Sequence, residues 1–131
     1  MFAIRGAIQV AEDSPRAIFS AVASLCGELV RANRLSPSRM ISAIFTLTPD
    51  LSSAFPAQAA REQGWRDVPM ICASEIPVPE APARICRVLV LARGHQKPRH
   101  VYLNGALDLL RPDLRVTARA VRKRRSQRRR Q

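Results

Sequence analysis

The chain has 131 residues, a formal charge of +12, 47% hydrophobic residues and ten prolines. This length predicts one domain with its own core but little room for a deep private cleft, so we expect a site shared between subunits. No 18 consecutive residues are apolar, and the apolar N-terminus is interrupted by Arg5, so we expect neither a membrane span nor export.

Most of the positive charge lies at the C-terminal end. Residues 119–131 hold eight basic residues and no acid, whereas residues 1–118 hold 14 basic against 10 acidic residues, a net +4. We therefore expect a domain over 1–117 and a basic, disordered tail over 118–131. The alternative is a nucleic-acid contact through RKRRSQRRR, which is less favoured because no aromatic residues are interleaved for stacking.

The three cysteines, Cys26, Cys72 and Cys86, are odd in number and lie in segments that we expect to be buried. A disulfide framework is a poor interpretation of that arrangement, and free thiols in a reducing cytoplasm are the better one.

The first third of the chain predicts a strand followed by a helix. Residues 1–10 are apolar and β-branched, with Arg5 projecting from a rigid element. A helix is expected over 15–33, beginning with a proline after a cap at Asp13 or Ser14. One apolar stripe on this helix should pack on a sheet and contains Ile18, Val22, Leu25, Cys26 and Leu29.

The rest of the chain predicts mostly strands. Strands are expected at 40–48, 68–74, 85–92 and 100–103, and a short helix at 56–63. The 40–48 segment is expected to be a central strand, and a stiff proline-rich loop precedes the 85–92 strand. The order βαβαβββ favours a single layered α/β domain with a mixed sheet.

Four arginines lie within or beside apolar segments, namely Arg5, Arg61, Arg87 and Arg111. A half-buried guanidinium needs a partner, and its planar fork suits a carboxylate held by two hydrogen bonds. Any one of them could pair with a nearby Asp or Glu as a structural bridge. The four together, with one glutamate at a strand end, predict a site for a small dianion.

Arg87 is the most informative of the four, because it interrupts the apolar run 85–91, which is of the kind buried on both faces. Glu75 is its expected counter-ion if the pair is only structural. Cys72 is predicted to be a small core residue rather than a nucleophile, and Tyr102 either packs in the core or presents its hydroxyl to a ligand. Metal-ligand spacings, Gly-rich phosphate loops and Ser/His/Asp sets are absent, so fixed charge and hydrogen bonds must carry any chemistry.

A series of short motifs follows one another along the chain. They are RGA at 5–7, TPDL at 48–51, FPA at 55–57 with an arginine six residues after the phenylalanine, GW at 64–65, VP at 68–69, C-x-x-E at 72–75, CRV at 86–88, HVYL at 100–103 and LRPDL at 110–114. In this order and spacing the chain resembles the monofunctional chorismate mutases of the trimeric α/β type, distinct from the all-helical mutases.

The resemblance implies a mixed sheet with helices packed on one face and three subunits in a barrel-like trimer with active sites at the interfaces. It also implies a reaction of aromatic amino-acid biosynthesis, the [3,3] rearrangement of chorismate to prephenate. This reaction is unimolecular, builds negative charge on the ether oxygen and needs no metal or cofactor. Small trimeric enamine/imine deaminases are an alternative that fits C-x-x-E and LRPDL less well.

Carried over residue by residue, the resemblance divides the pocket between two subunits. One wall contains Arg5, Cys72, Glu75, Arg87 and Tyr102, the neighbouring subunit adds Phe55 and Arg61, and Leu110 and Arg111 match a C-terminal segment that closes over the site. Gln58 stands where the family often has a basic residue. The resemblance assigns Arg87 to the ether oxygen and a carboxylate, Arg5 to the enolpyruvyl carboxylate, and Glu75 with Cys72 to the ring hydroxyl.

Overall fold

The computed structural model of the protein describes the backbone of residues 1–109 and the side chains of residues 1–106. Within this part the strands are β1 (Phe2–Gln9), β2 (Met40–Leu47), β3 (Met70–Ser74), β4 (Ile85–Ala92) and β5 (Val101–Leu103). The α-helices are α1 (Pro15–Asn33) and α2 (Pro56–Ala60), and α2 continues into a π-helical turn over Arg61–Trp65. Short 3-10 turns cover Pro37–Arg39 and Asn104–Leu109. The predicted elements are therefore present, with boundaries shifted by up to two residues.

The strands form one mixed sheet in the order β3-β2-β4-β1-β5. Strand β4 runs antiparallel to both β1 and β2, whereas β3 is parallel to β2 and β5 is parallel to β1. The mixed α/β architecture is thus confirmed. The 40–48 segment forms an interior strand as predicted, although the middle position of the sheet belongs to β4.

Helix α1 begins and ends where local signals predict. The Ser14 hydroxyl accepts a hydrogen bond from the Ala17 backbone N–H at 3.1 Å, and Arg34 ends the helix in a left-handed conformation with φ of 48°. All five residues of the predicted stripe are buried. They join one core cluster with the sheet and with Ala59, Ala60 and Trp65 of the second helical segment, so both helices cover the same face of the sheet.

Most of the other face of the sheet is left uncovered by the described residues, although Ala7 and Ile85 on this face are buried against Ala106 and Tyr102. Along β4 the core residues Val88 and Val90 are buried, whereas Arg87 is exposed and Leu89 is 44% exposed. The prediction that the 85–91 run is buried on both faces is therefore wrong for the single chain. Both helices lie on one side, so a continuous apolar strand still alternates between core and surface.

The cysteines divide between core and surface. Cys26 and Cys86 are buried, but Cys72 is exposed because β3 is an edge strand, so the prediction that all three lie in buried segments is wrong for Cys72. Burial raises the pKa of the Cys26 thiol to about 12 and also raises that of Cys86. These two thiols therefore stay neutral and serve as packing groups.

The turn after β2 fixes the start of β4. Thr48 and Ile85 exchange two hydrogen bonds, from the Thr48 N–H to the Ile85 carbonyl at 3.0 Å and from the Ile85 N–H to the Thr48 hydroxyl at 2.9 Å. The Asp50 carboxylate accepts the Arg84 N–H at 2.9 Å. The TPDL motif therefore anchors the end of the proline-rich loop, and with it the position of Arg87 two residues into the strand.

In the part of the chain that the structure describes, no helix is both long and apolar enough to cross a membrane.

Candidate active site

The uncovered face of the sheet contains a cavity of about 280 Å³. Its polar lining consists of Arg5, Thr46, Glu75, Arg87 and Tyr102. Four of the residues predicted from the sequence, Arg5, Glu75, Arg87 and Tyr102, are thus brought together, and Thr46 joins them.

Strand pairing explains why these side chains share one face. Arg87 on β4 lies directly opposite Ala7 of β1 and Thr46 of β2, and Arg5 lies opposite Leu89. Paired residues in neighbouring strands project to the same side of a sheet, and alternate residues of one strand do so too. Arg5, Thr46 and Arg87 therefore all project from the face that the helices leave open.

Arg87 and Glu75 form a two-point ion pair. The Arg87 Nε donates to Glu75 Oε1 at 2.6 Å, and Nη2 donates to Oε2 at 2.7 Å. The Glu75 backbone N–H donates to the Leu47 carbonyl at 2.9 Å, which extends the pairing of β2 and β3 by one residue. Glu75 is therefore the expected counter-ion of Arg87, held at a strand end inside the cavity.

The surroundings of Glu75 favour its ionised form. Burial alone raises the pKa of this carboxyl, but hydrogen bonds from Arg87 and Thr46, together with the Arg87 charge, outweigh burial and hold the pKa below its ordinary value of 4.5. At neutral pH the cavity thus contains a carboxylate paired with one arginine, and a second arginine at Arg5.

Thr46 is a cavity residue that the sequence analysis did not single out. Its hydroxyl donates to Glu75 Oε1 at 2.5 Å. In the sequence it is one of several small polar residues in a strand, and only the register of β2 against β4 places it beside Arg87. The alternation of side chains along β2 predicts the face of the sheet on which Thr46 lies, but it does not predict that Thr46 contacts Glu75.

His100 links β1 to the start of β5 on one side of the cavity. The Arg5 backbone N–H donates to His100 Nδ1 at 2.9 Å, so this ring nitrogen is an acceptor. Tyr102 pairs with Ala7 in the parallel register of β5 and β1. The HVYL motif therefore positions both Tyr102 and the β1 segment that carries Arg5.

Cys72 does not line this cavity. It pairs in register with Phe45, which is buried beneath the helices, so its side chain is on the helix side of the sheet. Cys72 and Glu75 are three residues apart, and an odd separation in extended chain places two side chains on opposite faces. In the single chain, Cys72 therefore lies outside the cavity wall that contains Glu75, with which it was predicted to be grouped.

A second depression, of about 280 Å³, contains Cys72 and Phe55 together with Leu51 and Ser74. Phe55 precedes α2 and is 65% exposed, a large fraction for an aromatic side chain. Gln58 and Arg61 are exposed on α2 and on the turn that follows it, and neither lines the cavity around Arg87. Leu110 and Arg111 lie outside the described residues.

Among residues 1–106, no three His, Cys, Asp or Glu side chains are grouped so that they could hold a metal ion.

Comparison with known proteins agrees with the family that the motifs indicate. Residues 1–114 match the family described as chorismate mutase type I. The chain belongs to this family. A curated relative, "Chorismate mutase AroH" of Thermus thermophilus, is 47% identical over 115 residues, which cover 85% of this chain and 93% of the relative. The relative of the same name from Bacillus subtilis is 34% identical over 118 residues, or 87% and 92% of the two chains.

A solved structure supports the same conclusion. The structure described as chorismate mutase from Clostridium thermocellum is 38% identical, with a TM-score of 0.79, and the match covers 81% of this chain and 97% of that chain. Family, relatives and fold thus favour the mutase over the deaminases that the sequence left as an alternative.

Proposed function

We propose that this member of the chorismate mutase type I family converts chorismate to prephenate in the cavity around Arg87. The observation that carries the proposal is an arginine held by a two-point ion pair beside a second arginine, Arg5, in a cavity on the open face of the sheet. Chorismate carries two carboxylates, and the family match over residues 1–114 supplies the substrate class. The reaction is a step of aromatic amino-acid biosynthesis.

The rearrangement breaks a C–O bond and forms a C–C bond within one molecule, so no group is transferred to the protein. Because C–O cleavage runs ahead, negative charge builds on the ether oxygen, and a fixed cation there lowers the barrier. Arg87 uses two of its five N–H donors on Glu75, which leaves three for a ligand or for other partners. We assign the free edge of this guanidinium to the ether oxygen and to one carboxylate.

The other polar groups hold the substrate in its reactive conformation. Arg5 is assigned to the enolpyruvyl carboxylate, with the Tyr102 hydroxyl completing carboxylate binding. Glu75 Oε1 already accepts two hydrogen bonds, whereas Oε2 accepts one from Arg87 and retains a lone pair for the ring hydroxyl. In solution the conformer with the enolpyruvyl arm over the ring is rare. Binding the substrate in this conformer lowers the entropic part of the barrier, which is a large contribution to catalysis of this kind.

We propose that the site is completed by a neighbouring subunit in a homotrimer. The exposed Phe55 and the uncovered apolar residues Ile44 and Leu89 support an assembly that buries them. Because Cys72 shares a depression with Phe55, we assign it to the neighbour's half of the site, together with Arg61 and Gln58. Leu110 and Arg111 remain assigned, from the sequence resemblance, to a segment that closes the site.

The domain is proposed to extend over 1–117, followed by a tail over 118–131, and the family match that ends at residue 114 supports this division. Three free thiols support a reducing cytoplasmic setting. A truncation after Thr117 should keep mutase activity. Loss of salt-sensitive RNA retention in that truncation would identify the tail as a nucleic-acid contact.

The direct test is incubation of the purified full chain with chorismate, with substrate loss followed by absorbance and prephenate detected by chromatography. Conversion well above the rate without protein is expected, and the Arg87→Gln variant serves as the control for a contaminating mutase. A wild-type rate no higher than the background rate would refute the proposal.

A further inference from the structure

We infer that Thr46 is a positioning residue for the proposed reaction, because its hydroxyl fixes the Glu75 carboxylate that in turn orients Arg87. The inference rests on the proposed function and adds a residue to it. Thr46 has no assigned contact with substrate, so its effect on the reaction would pass through Glu75.

The first observation is the way in which two donors share one oxygen. Glu75 Oε1 accepts the Thr46 hydroxyl at 2.5 Å and the Arg87 Nε at 2.6 Å. Thr46 and Arg87 are directly opposite each other on β2 and β4, so both donors reach Oε1 from paired positions of the sheet. The carboxylate is therefore tied to two strands rather than to one flexible side chain.

The second observation is that β2 also holds the Glu75 backbone. The Glu75 N–H donates to the carbonyl of Leu47, the residue after Thr46. The chain leaves the sheet immediately afterwards, and Ile76 is 81% exposed. Thr46 thus binds the side chain of Glu75 and Leu47 binds its main chain, at the last residue of this segment that is hydrogen-bonded to the sheet.

An ion pair alone would not give this precision. The Glu75 side chain is only 11% exposed, but the Arg87 side chain is 48% exposed, and a long, half-exposed side chain samples several geometries. The threonine side chain is short and restricted at χ1, so its hydroxyl is a fixed reference point. Without it, the Arg87–Glu75 pair could move as a unit and carry the guanidinium away from the ether oxygen.

The hydroxyl also contributes to the ionisation of Glu75. Among the residues whose side chains the structure describes, the charged and titratable groups around this carboxylate are Arg87, Arg5 and Tyr102 in the cavity and the buried Cys86 thiol on the other side of β4. Arg87 and Thr46 both lower the pKa of Glu75. Removing the Thr46 hydroxyl should therefore raise the pKa of Glu75 while the surrounding charges stay unchanged.

The test compares Thr46→Val, which keeps the shape but removes the donor, with Thr46→Ser, which restores it. For the valine variant we expect kcat to fall about tenfold with a smaller change in KM, because one charge-assisted hydrogen bond that orients the catalytic group is lost. The acidic limb of its kcat/KM profile should move to higher pH. The serine variant should recover both the rate and the profile.

Ser42→Ala is the matched control, since it removes a hydroxyl from the same strand outside the cavity. It should leave the rate and the pH profile unchanged. Wild-type kcat and profile in Thr46→Val, or a serine variant no better than valine at equal melting temperature, would overturn the inference.

A second measurement separates this inference from the proposed function. The Glu75 carboxyl carbon can be titrated by NMR in the wild type and in Thr46→Val, without substrate. A higher pKa in the variant supports the Thr46 contact even if chorismate is not converted. An equal pKa contradicts it whatever the activity.

Discussion

Arg87 and Glu75 form their two-point ion pair across an intervening strand. Glu75 follows β3 and Arg87 lies on β4, with β2 between them in the sheet. Two strand spacings amount to about 10 Å, so the long side chains must reach over Thr46 to meet. This arrangement places a cation and its counter-ion together on the open face of the sheet, where a preorganised cation can stabilise charge that develops in a transition state.

Replacing Arg87 with an uncharged glutamine should lower kcat by roughly 100-fold or more, with a smaller effect on KM, because a preorganised donor to the ether oxygen is lost. Arg87→Lys keeps the charge but cannot hold Glu75 through two parallel hydrogen bonds, so it should also be strongly impaired. Steady-state kinetics with chorismate measure both effects. Arg93→Gln, an exposed position just after β4, is the control and should behave as the wild type.

Near-normal turnover in Arg87→Gln, with the folded state intact by circular dichroism, would remove Arg87 from the mechanism. A variant in which only KM rises would instead place Arg87 in ground-state binding of a carboxylate.

The depressed pKa of Glu75 predicts how activity depends on acid. Because the folded-state pKa lies below the ordinary value of 4.5, the carboxylate and its pair with Arg87 persist above that value and are lost as the pH falls through the lower folded pKa. Wild-type kcat/KM should therefore have an acidic limb below about pH 4.5. Glu75→Gln should lower kcat, and its kcat/KM should no longer show the fall at acid pH that protonation of Glu75 causes.

Glu80→Gln provides the matched control for this titration, because Glu80 lies in the exposed proline-rich loop. The control should keep the wild-type limb. An unchanged limb in Glu75→Gln would assign the acid dependence to the carboxylates of chorismate itself.

Local features of this fold were predictable from the sequence. The buried stripe of α1 and the 85–92 strand depend on short-range spacing and residue type, and the structure confirms both of them. The sequence also narrowed the helix cap to Asp13 or Ser14, and the structure identifies Ser14. The motif set also predicted the family, and it grouped Arg5 and Glu75 with Arg87.

Features that depend on strand register were not predictable. Cys72 and Glu75 belong to one short motif, and although their odd separation indicates opposite faces, only the register of β3 against β2 shows that Cys72 lies on the helix side. Thr46 was missed because its partner lies 29 residues away. The exposure of Leu89 could not be foreseen either, since a continuous apolar strand does not reveal whether its second face is covered by the same chain or by another subunit.

Gly6 in the RGA motif is predicted to be required for packing. A Cβ atom at this position would lie 3.1 Å from Leu25 Cδ1 and 3.2 Å from Val88 Cγ1, between the sheet and α1. Gly6→Ala should lower the free energy of unfolding by about 1–3 kcal/mol, as overpacked core positions do. Chemical denaturation measures the change.

Gly27→Ala is the opposite case in the same fold. Apart from its chain neighbours and the backbone of its own helix, no atom lies within 4 Å of a Cβ built on this exposed position of α1, so alanine should stabilise the protein by about 0.5–1 kcal/mol through its helix propensity. Equal effects of the two substitutions would show that contact with Leu25 and Val88 does not limit the packing of β1.

Mixing two inactive variants tests whether the site is shared between subunits. Arg87→Gln damages one proposed half of the site, and a Phe55→Ala, Arg61→Ala double variant damages the other. If subunits assemble at random, roughly a quarter of the sites in an equal mixture combine two intact halves. Refolding or coexpressing the two variants together should therefore restore activity to about a quarter of the wild-type level, and sedimentation should give the mass of a trimer.

The control for this experiment mixes Arg87→Gln with Glu75→Gln, which damage the same half. Every site in that mixture then has one damaged half, whichever subunits meet, so no activity should return beyond the average of the two variants. Activity that stays low in the first mixture, although sedimentation of tagged subunits shows hybrid trimers, would mean that Phe55 and Arg61 do not serve a neighbour's cavity. In that case the exposure of Phe55 at 65% would need another partner, and Arg87 would have to act within a single chain.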